Sequence, residues 1–551
     1  MILGIDIGGT HTDAVYLDEE GILTTAKTVT GEDLVGSILE VIAGLGIDCT
    51  VLRRVVLSTT LSTNAIVQKK YDPTGMIVSA GPGVNPSCHF LTDAFFLVKG
   101  AIDHRGREYV PVNHEQVIAA SRELRKKDIE GVGVVSKFSV RNPAHETAMA
   151  ALLEKDFRYL SMGHTMSGNL NFPRRINTTY FNTAVMPVQE RFVGAVQKAL
   201  AHLGIKAPLF FLKADGGTFA SSAADRLPVE TILSGPAASM MGALALNKRT
   251  KGTTLVLDIG GTTTDIGILV NGIPILEPSG VDIGGVRTLV RGLKVVSVGA
   301  GGDSCVKIEN GALRVGPNRS GPPACLGGVS PTPMDAYAVL GEFSLGDRQR
   351  AIDSIAPLAE QKDIEIRQLC REIITIMAEN IRKKAREFID EVNRHPVYTI
   401  FEMLHPEHVE PDSVILIGGP ACLLKPYLED ALGIECVVPE FSMVANALGA
   451  ALARTTAQIT LLADTQMRRI ICPELHVDKD IPPTLSMEDV KAFGIRALKE
   501  NAHLLGLSDE TEVSIIEEQS FNMVRGFSTV GRNMRVKMQT TPGILPQWRA
   551  Q

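Results

Sequence analysis

Short apolar runs, continuous or alternating, mark strands along this chain, and stripes at three- and four-residue spacing mark helices. Residues 2–7, 12–17 and 22–29 read as a three-stranded meander, with Asp18-Glu19-Glu20-Gly21 as the polar turn before its third strand. The stripe Leu34, Ile38, Val41, Ile42 and Leu45 predicts a helix over 33–45, and residues 55–57 form a short buried strand. Strands at 76–80 and 131–135 then alternate with helices at 115–126 and 143–154. A long helix covers 174–203, and a second half of the chain restarts at Pro208 with a strand at 209–212. Residues 280–345 are rich in glycine and proline yet compositionally ordered. Beyond them Ile364, Ile366, Leu369, Ile373, Ile376, Met377 and Ile381 trace a helical stripe through 354–394, read as two helices. In the tail, Ser486-Met487-Glu488-Asp489 caps a helix running to about Leu505, where Gly506 can end it, and 511–516 and 534–538 are strand-like.

One local pattern occurs twice. Leu255-Val256-Leu257-Asp258 is an apolar strand ending in aspartate; the chain breaks at Gly260-Gly261, passes Thr262-Thr263-Thr264 and resumes as a strand at Asp265. Near the N-terminus the same pattern reads Asp6-Ile7-Gly8-Gly9-Thr10-His11-Thr12-Asp13. Glycine, lacking a Cβ, permits a tight reversal, and a Gly-Gly-Thr reversal exposes successive N–H groups and hydroxyls in a concavity suited to phosphate oxygens. Asp6 and Asp258, at strand ends, can hold a divalent metal through water, with Asp13 and Asp265 one strand start away. A single copy reads equally well as a hairpin with solvated acidic ends. Two copies, separated by far more than a solenoid period, suggest a duplicated domain with one nucleotide between its halves.

Other stretches leave two readings open. The hydroxyl-rich run from Ser58 through Thr59, Thr60, Ser62 and Thr63 to Asn64 precedes a helix, and could bind an anion there or simply cap it. Asp215, at the turn Ala214-Asp215-Gly216-Gly217, either faces a cleft or is a plain turn aspartate. Gly299-Ala300-Gly301-Gly302-Asp303-Ser304 is either a further cradle of N–H groups or a tight loop. Arg174, Arg175, Asn177, Thr178 and Asn182 read as a solvated helix face. So does Arg382-Lys383-Lys384-Ala385-Arg386, whose functional alternative is adenine or ribose contact. His405-Pro406-Glu407-His408 has metal-ligand residue types, but proline interrupts it and a solvated loop is the simpler reading.

Composition narrows the class. With 551 residues, 44 % hydrophobic and 21 % charged, the chain reads as a soluble globular protein with room for several cores. A net charge of −7 gives no basic field for nucleic acid. Eight scattered cysteines without a Cys-x-x-Cys pair fit a reducing cytoplasm better than a disulfide framework. No signal-peptide pattern precedes the first strand, and no apolar run is long enough for a membrane span.

The paired hairpins resemble the phosphate-1 and phosphate-2 motifs of the actin, sugar-kinase and heat-shock-chaperone ATPase superfamily. Val414-Ile415-Leu416-Ile417-Gly418-Gly419-Pro420-Ala421 looks like its adenosine motif. Ser234-Gly235-Pro236-Ala237-Ala238, leading into Gly242, and Ala445-Asn446-Ala447-Leu448-Gly449 look like its two linking helices. The resemblance implies an α/β fold of duplicated actin-like, ribonuclease H-like domains with a nucleotide cleft between them, using ATP and Mg²⁺. It would place Gly8, Gly9, Thr10, Thr12, Gly260, Gly261, Thr262, Thr263, Gly301, Gly302, Gly418 and Gly419 at the nucleotide and Asp6 and Asp258 at the metal. Asp13 and Asp265 would serve as base or metal partner.

A narrower similarity runs through 57–65, 214–217, 232–237, 298–304, 315–325 and 331–336. It is to the A component of the hydantoinase/oxoprolinase family, over about residues 1–455 and densest at 174–340. Members use ATP to open cyclic amides such as 5-oxoproline or N-methylhydantoin, or to activate ketones for carboxylation, commonly with a separate B-type subunit. The similarity tips Thr59, Thr60 and Asn64, with Asp215, towards the substrate side of the cleft. Three departures stand out: a shorter Gly-Pro segment at 80–86, Asp303 where the family usually has glycine, and a tail unlike the longer β-rich module of typical members. The resulting expectation is two actin-like halves, 1–172 and 173–455, and an α+β extension, 456–551. The resemblance further implies an ATP-dependent cyclic amide hydrolase that phosphorylates the carbonyl oxygen with a partner chain, and the chain could also self-associate. A reactivating or chaperone-like factor and a ketone-activating carboxylase subunit are the alternatives. A radical-enzyme activator would need a Cys-Gly-Gly turn that this sequence lacks, and the 234 and 299 signatures point away from a simple sugar kinase.

Overall fold

The computed structural model describes residues 1–18, 20–21, 23–277, 279–394, 408–501, 512–540 and 543–545. Two sheets of matching topology organise it. In the first, β1 (Ile2–Ile7), β2 (His11–Leu17) and β3 (Leu23–Val29) form the antiparallel meander, and β4 (Arg54–Thr59) runs parallel to β1 on its other side. In the second, Thr253–Ile259 and Thr264–Val270 pair antiparallel, and Ser413–Ile417 runs parallel to Thr253–Ile259. Their registers agree: Asp6 lies opposite Asp13, and Asp258 opposite Asp265. Both first strands are almost wholly buried, because helices cover both faces of each sheet; that is why they read as continuous apolar runs rather than alternating ones.

The fold is the duplicated α/β architecture that the sequence implies, but the partition of the chain differs. Leu209–Leu212, expected to open the second half, pairs in parallel with β4 in the first sheet, and Thr218–Ala220 extends that sheet by one more strand. A boundary at 172/173 therefore cuts across the first sheet. What separates β4 from Leu209–Leu212 is an inserted module with its own parallel sheet, ordered Tyr159–Met162, Gly131–Ser136, Thr74–Ser79, Phe95–Leu97.

The helix Phe172–His202 serves both modules. Its first part packs Ile176, Tyr180, Phe181 and Val185 against Met76, Val78 and Val135 of the insert. Beyond Pro187, Phe192, Val193, Val196 and Leu200 join Leu3, Ile5 and Leu57 under the first sheet. A helix buried on two sides has no solvated face near its start. Arg175, Thr178 and Asn182 are at most 1 % exposed, so the solvated reading of these residues does not hold. Asn182 donates to Ser161 Oγ and the Arg226 carbonyl, the Leu289 N–H donates to Thr178 Oγ, and Arg175 donates to the carbonyls of Asn169 and Ser136. Asn182 and Thr178 thereby tie this helix to segments far along the chain.

Between the two main sheets cross the linking helices Ser234–Leu246 and Ala445–Leu452. A Cβ on Gly242 would lie 2.0 Å from the Ala445 carbonyl oxygen, and one on Gly449 would lie 2.2 Å from that of Ala238. The helices touch backbone to backbone. On the far side, a Cβ on Gly4 of β1 would meet the Ala447 carbonyl oxygen at 2.4 Å.

The stripe through 354–394 is two helices, Arg348–Lys362 and Ile366–Asn393, and the basic run Arg382, Lys383 and Arg386 lies exposed on the second. The tail is richer in β structure than its sequence suggests: a five-stranded sheet from Gln458 onward, with a long hairpin of Val513–Arg525 and Ser528–Thr540. The capped helix there spans Met487–Glu500. The proposed helix end at Leu505-Gly506, the strand start at 511, Glu19 and Ile22 of the N-terminal meander, and His405 to Glu407 lie outside the described residues; His408 is exposed beside Glu410. Among the described residues, no helix is long and apolar enough to cross a membrane.

Candidate active site

Each hairpin closes in the same way. The Gly8 N–H donates to the His11 carbonyl at 3.0 Å, and the Gly260 N–H donates to the Thr263 carbonyl at 2.9 Å. A Cβ on either glycine would come within 3.0 to 3.1 Å of that carbonyl, so glycine is needed here for close approach; neither residue has a positive φ. The turn residues project their N–H groups elsewhere: among the described hydrogen bonds, none uses the N–H of Gly9, Thr10, Gly261 or Thr262. Four free donors at two facing reversals suit phosphate oxygens. Gly418 of the adenosine-like turn has φ +94° and sits so close to the second hairpin that a Cβ would lie 2.8 Å from Asp258 Oδ1, while Gly419 faces open space.

The four aspartates converge. Burial, reinforced by Asp13 and Asp258, pushes Asp6 up to about 7, against the pull of the Ser58 hydroxyl beside it. Burial and Asp258 likewise push Asp265 up to about 7. Asp13 and Asp258 are also raised by burial. Only Asp13 has an ion-pair partner among the described residues, Lys27 Nζ at 3.0 Å. Asp258 has two neutral donors: Ser239 Oγ at 2.5 Å and Asn446 Nδ2 at 3.3 Å, one from each linking helix. Asn446 also lies against Asp6. Asp6 Oδ1 is buried without a hydrogen-bond partner among the described residues. Four carboxylates held together with one cationic partner and an orphaned oxygen fit a divalent cation. No group of three or more His, Cys, Asp or Glu among the described residues is arranged to hold one alone.

Several expected contacts are already spent inside the protein. Thr12 is fully buried and shares a hydrogen bond with Thr30, so its hydroxyl does not reach the cleft. Gly301 and Gly302 do not offer a second cradle. The Gly301 N–H donates to Ser304 Oγ, and those of Gly302 and Asp303 donate to the Gly260 and Gly261 carbonyls, bracing the second hairpin from behind. Asp215 is 1 % exposed. Burial alone would raise it, but Lys213, Arg291, the Gly217 N–H and Thr456 hold it below the ordinary range, as a buried tie between strand and tail. Within the hydroxyl-rich run, the Leu61 N–H donates to Thr59 Oγ, Ser62 Oγ pairs with Thr231 Oγ, and the Leu233 N–H donates to Thr63 Oγ. That leaves Thr60 and Asn64, joined to each other at 3.2 Å, nearer solvent.

Other residues emerge only in three dimensions. Asp303 meets a cation: Arg319 Nη2 lies 2.9 Å from its carboxylate, and Nη1 of the same guanidinium donates to Thr10 Oγ at 3.1 Å, spanning the cleft. Ser239 and Asn446 had one available signal, in that each is a polar side chain within an otherwise small and apolar helical stretch.

Residues 175–459 match the hydantoinase/oxoprolinase family, and residues 2–157 match the N-terminal region of that family. The chain belongs to the hydantoinase/oxoprolinase family. It is 26 % identical over 426 residues to the caprolactamase subunit alpha of Pseudomonas jessenii, an alignment that covers 68 % of this chain and 61 % of that one. Over 451 residues it is 23 % identical to the acetone carboxylase beta subunit of Xanthobacter autotrophicus, covering 71 % and 62 %. The chain thus spans about three-fifths of the length of these two relatives. A solved structure of the ATP-dependent caprolactamase from Pseudomonas jessenii superimposes with a TM-score of 0.72 at 20 % identity, covering 98 % of this chain and 87 % of that one.

Proposed function

We propose that this chain is the ATP-using component of a cyclic amide hydrolase, in which the γ-phosphoryl group activates the carbonyl oxygen of the ring. The observation that carries the reading is the pair of facing hairpins. Each presents free N–H donors above two opposed aspartates, in a member of a family whose relatives include an ATP-dependent caprolactamase. In balanced form, the amide oxygen takes the phosphoryl group and ADP leaves. Water then adds to the activated carbon, the ring C–N bond breaks to free the amine and leave an acyl phosphate, and a second water hydrolyses that to the carboxylate and inorganic phosphate.

The residues divide this work by position. The N–H groups of Gly9, Thr10, Gly261 and Thr262 would hold the β- and γ-phosphates, and Gly418 and Gly419 would border the adenosine. Asp6 and Asp258 would hold Mg²⁺, which when bound neutralises phosphate charge. Arg319 is placed to exchange Asp303 for phosphate oxygen as the cleft closes. Asp265, with Ser297 donating to it, is the better-placed base, because Asp13 is engaged by Lys27. The matched relatives are themselves called subunits, which favours a partner chain that completes the hydrolytic half of the reaction.

The test is Mg-ATP hydrolysis by the purified chain across cyclic amides, hydantoins and ketones, with and without a co-expressed partner. Stimulation by a cyclic amide that disappears in Asp258→Ala supports the reading. Stimulation by ketones alone would replace it with carboxylase-type activation.

A further inference from the structure

Beside the second hairpin lies a cavity of ≈ 440 Å³, a size suited to a small molecule. The edge strand Val295–Val298, the start of the helix Ser234–Leu246 and the turn around residues 279–282 enclose it, with Arg174 and Glu391 reaching in from two other helices. Its wall is shared with the catalytic carboxylates: the Ser297 hydroxyl lines the cavity and donates to Asp265, which lies opposite Asp258. The helix that supplies Pro236 and Ala237 to the cavity also supplies Ser239 to Asp258.

The lining combines apolar and charged groups. Leu233, Ala237, Val281, Leu293 and Val295 provide an apolar surface. The charged groups are three cations and three anions, and the buried one is balanced. Lys294, with its side chain 6 % exposed, lies 2.9 Å from Glu391 and 3.8 Å from Glu277. Arg174 donates to the carbonyls of Ser279 and Gly280, and Asp282 lies opposite Arg287 across a short hairpin. A carboxylate entering here would give up hydration and find its buried cation already paired. A neutral ring would give up far less.

We propose that this cavity seats the ring of a neutral, alkyl-rich cyclic amide with its carbonyl turned towards Asp265, and that it disfavours rings bearing a carboxylate. The inference rests on the cyclic amide reading above and narrows it. A matched pair of probes tests it: 2-pyrrolidinone, and 5-oxoproline, the same ring with a carboxylate. Binding of each to the full chain is measured by calorimetry, and turnover by ADP release with the partner present. The expected result is at least a tenfold preference for 2-pyrrolidinone. Val295→Phe, which fills the cavity, should weaken its binding at least tenfold. The double variant Glu277→Gln/Glu391→Gln, which leaves Lys294 without those carboxylates, should shift the preference towards 5-oxoproline. A wild-type preference for 5-oxoproline, or lactam binding unchanged in a folded Val295→Phe protein, overturns the assignment while leaving the cyclic amide reading intact. Absence of both binding and stimulated turnover for every cyclic amide overturns both.

Discussion

The two hairpins share a register, a closing hydrogen bond and a pair of opposed aspartates, yet the surroundings treat them differently. In the first, Asp13 is neutralised by Lys27 from the neighbouring strand, and Asp6 keeps an unpartnered oxygen. In the second, Asp258 and Asp265 have no cation within ion-pair distance among the described residues, only hydroxyls and an amide. The turns differ as well. His11 stands in the first where Thr263 stands in the second, and the first is braced through Thr30 while the second is braced by the loop carrying Gly302 and Asp303. The two halves of a duplicated scaffold therefore differ in countercharge: the first supplies Lys27 to Asp13, and the second supplies no cation within ion-pair distance of Asp258 or Asp265 among the described residues. On the proposed reading, phosphate chemistry is aimed at the second.

Removing either inner aspartate is the most severe way to test that asymmetry. Asp258→Ala should lower kcat by ~1,000-fold or more, about 4 kcal/mol of transition-state stabilisation. Asp6→Ala should lower it by roughly tenfold less, because Asp258 and the second turn remain. Equal losses, measured by steady-state ADP release, would make the two hairpins equivalent.

Protons come next. Asp6 and Asp265 are raised from 3.8 to about 7, so between those values the folded, nucleotide-free chain binds more protons than the unfolded one. Its stability should therefore fall as pH rises from about 4 to 7. A cation competes for the Asp6 oxygens, so Mg-ATP affinity should weaken about tenfold between pH 8 and 6. Calorimetry on wild type and Asp6→Asn checks this, and an unchanged pH profile in the variant would remove Asp6 from the metal site.

Glycine substitutions separate the turns at smaller cost. A Cβ at Gly9 meets no protein atom within 4 Å, so Gly9→Ala should change folding stability by under ~0.5 kcal/mol while weakening nucleotide binding. A Cβ at Gly261 would lie 2.6 Å from Asp303 Oδ2, so Gly261→Ala should displace the brace and cost about 1–3 kcal/mol in denaturant unfolding. The mildest change is Ser239→Ala, which removes one neutral donor from Asp258 and should lower kcat/KM about fivefold, the equivalent of about 1 kcal/mol. No effect would leave Asn446 as the sole positioning group for Asp258 among the described side chains.

The hairpins were legible because their signal is local: apolar strand, aspartate, two glycines and threonine lie within one turn of chain. The partition of the chain was not. Placing Leu209–Leu212 beside β4 requires a pairing across about 150 residues, which local periodicity does not encode. Thr12, Gly302 and Asp215 carry the right residue types, but their donors or acceptors are taken up by partners distant in sequence, and the Gly301 N–H is taken up by Ser304 within its own loop. The tail hairpin was underestimated for another reason. Val513–Arg525 is largely exposed, so it lacks the apolar alternation that reveals a half-buried strand.

The backbone contact between Gly242 and Gly449 constrains how the two sheets could move against each other. At the crossing itself carbonyls and α-carbons touch with no side chain between them, so relative motion of the two sheets would be expected as rotation about that point. A pin makes displacement grow with radius: small angles at the crossing become larger travel at the outer modules. Distance labels on the insert and on the distal helices would read the swing at its greatest amplitude, and a methyl group at either glycine would jam the bearing.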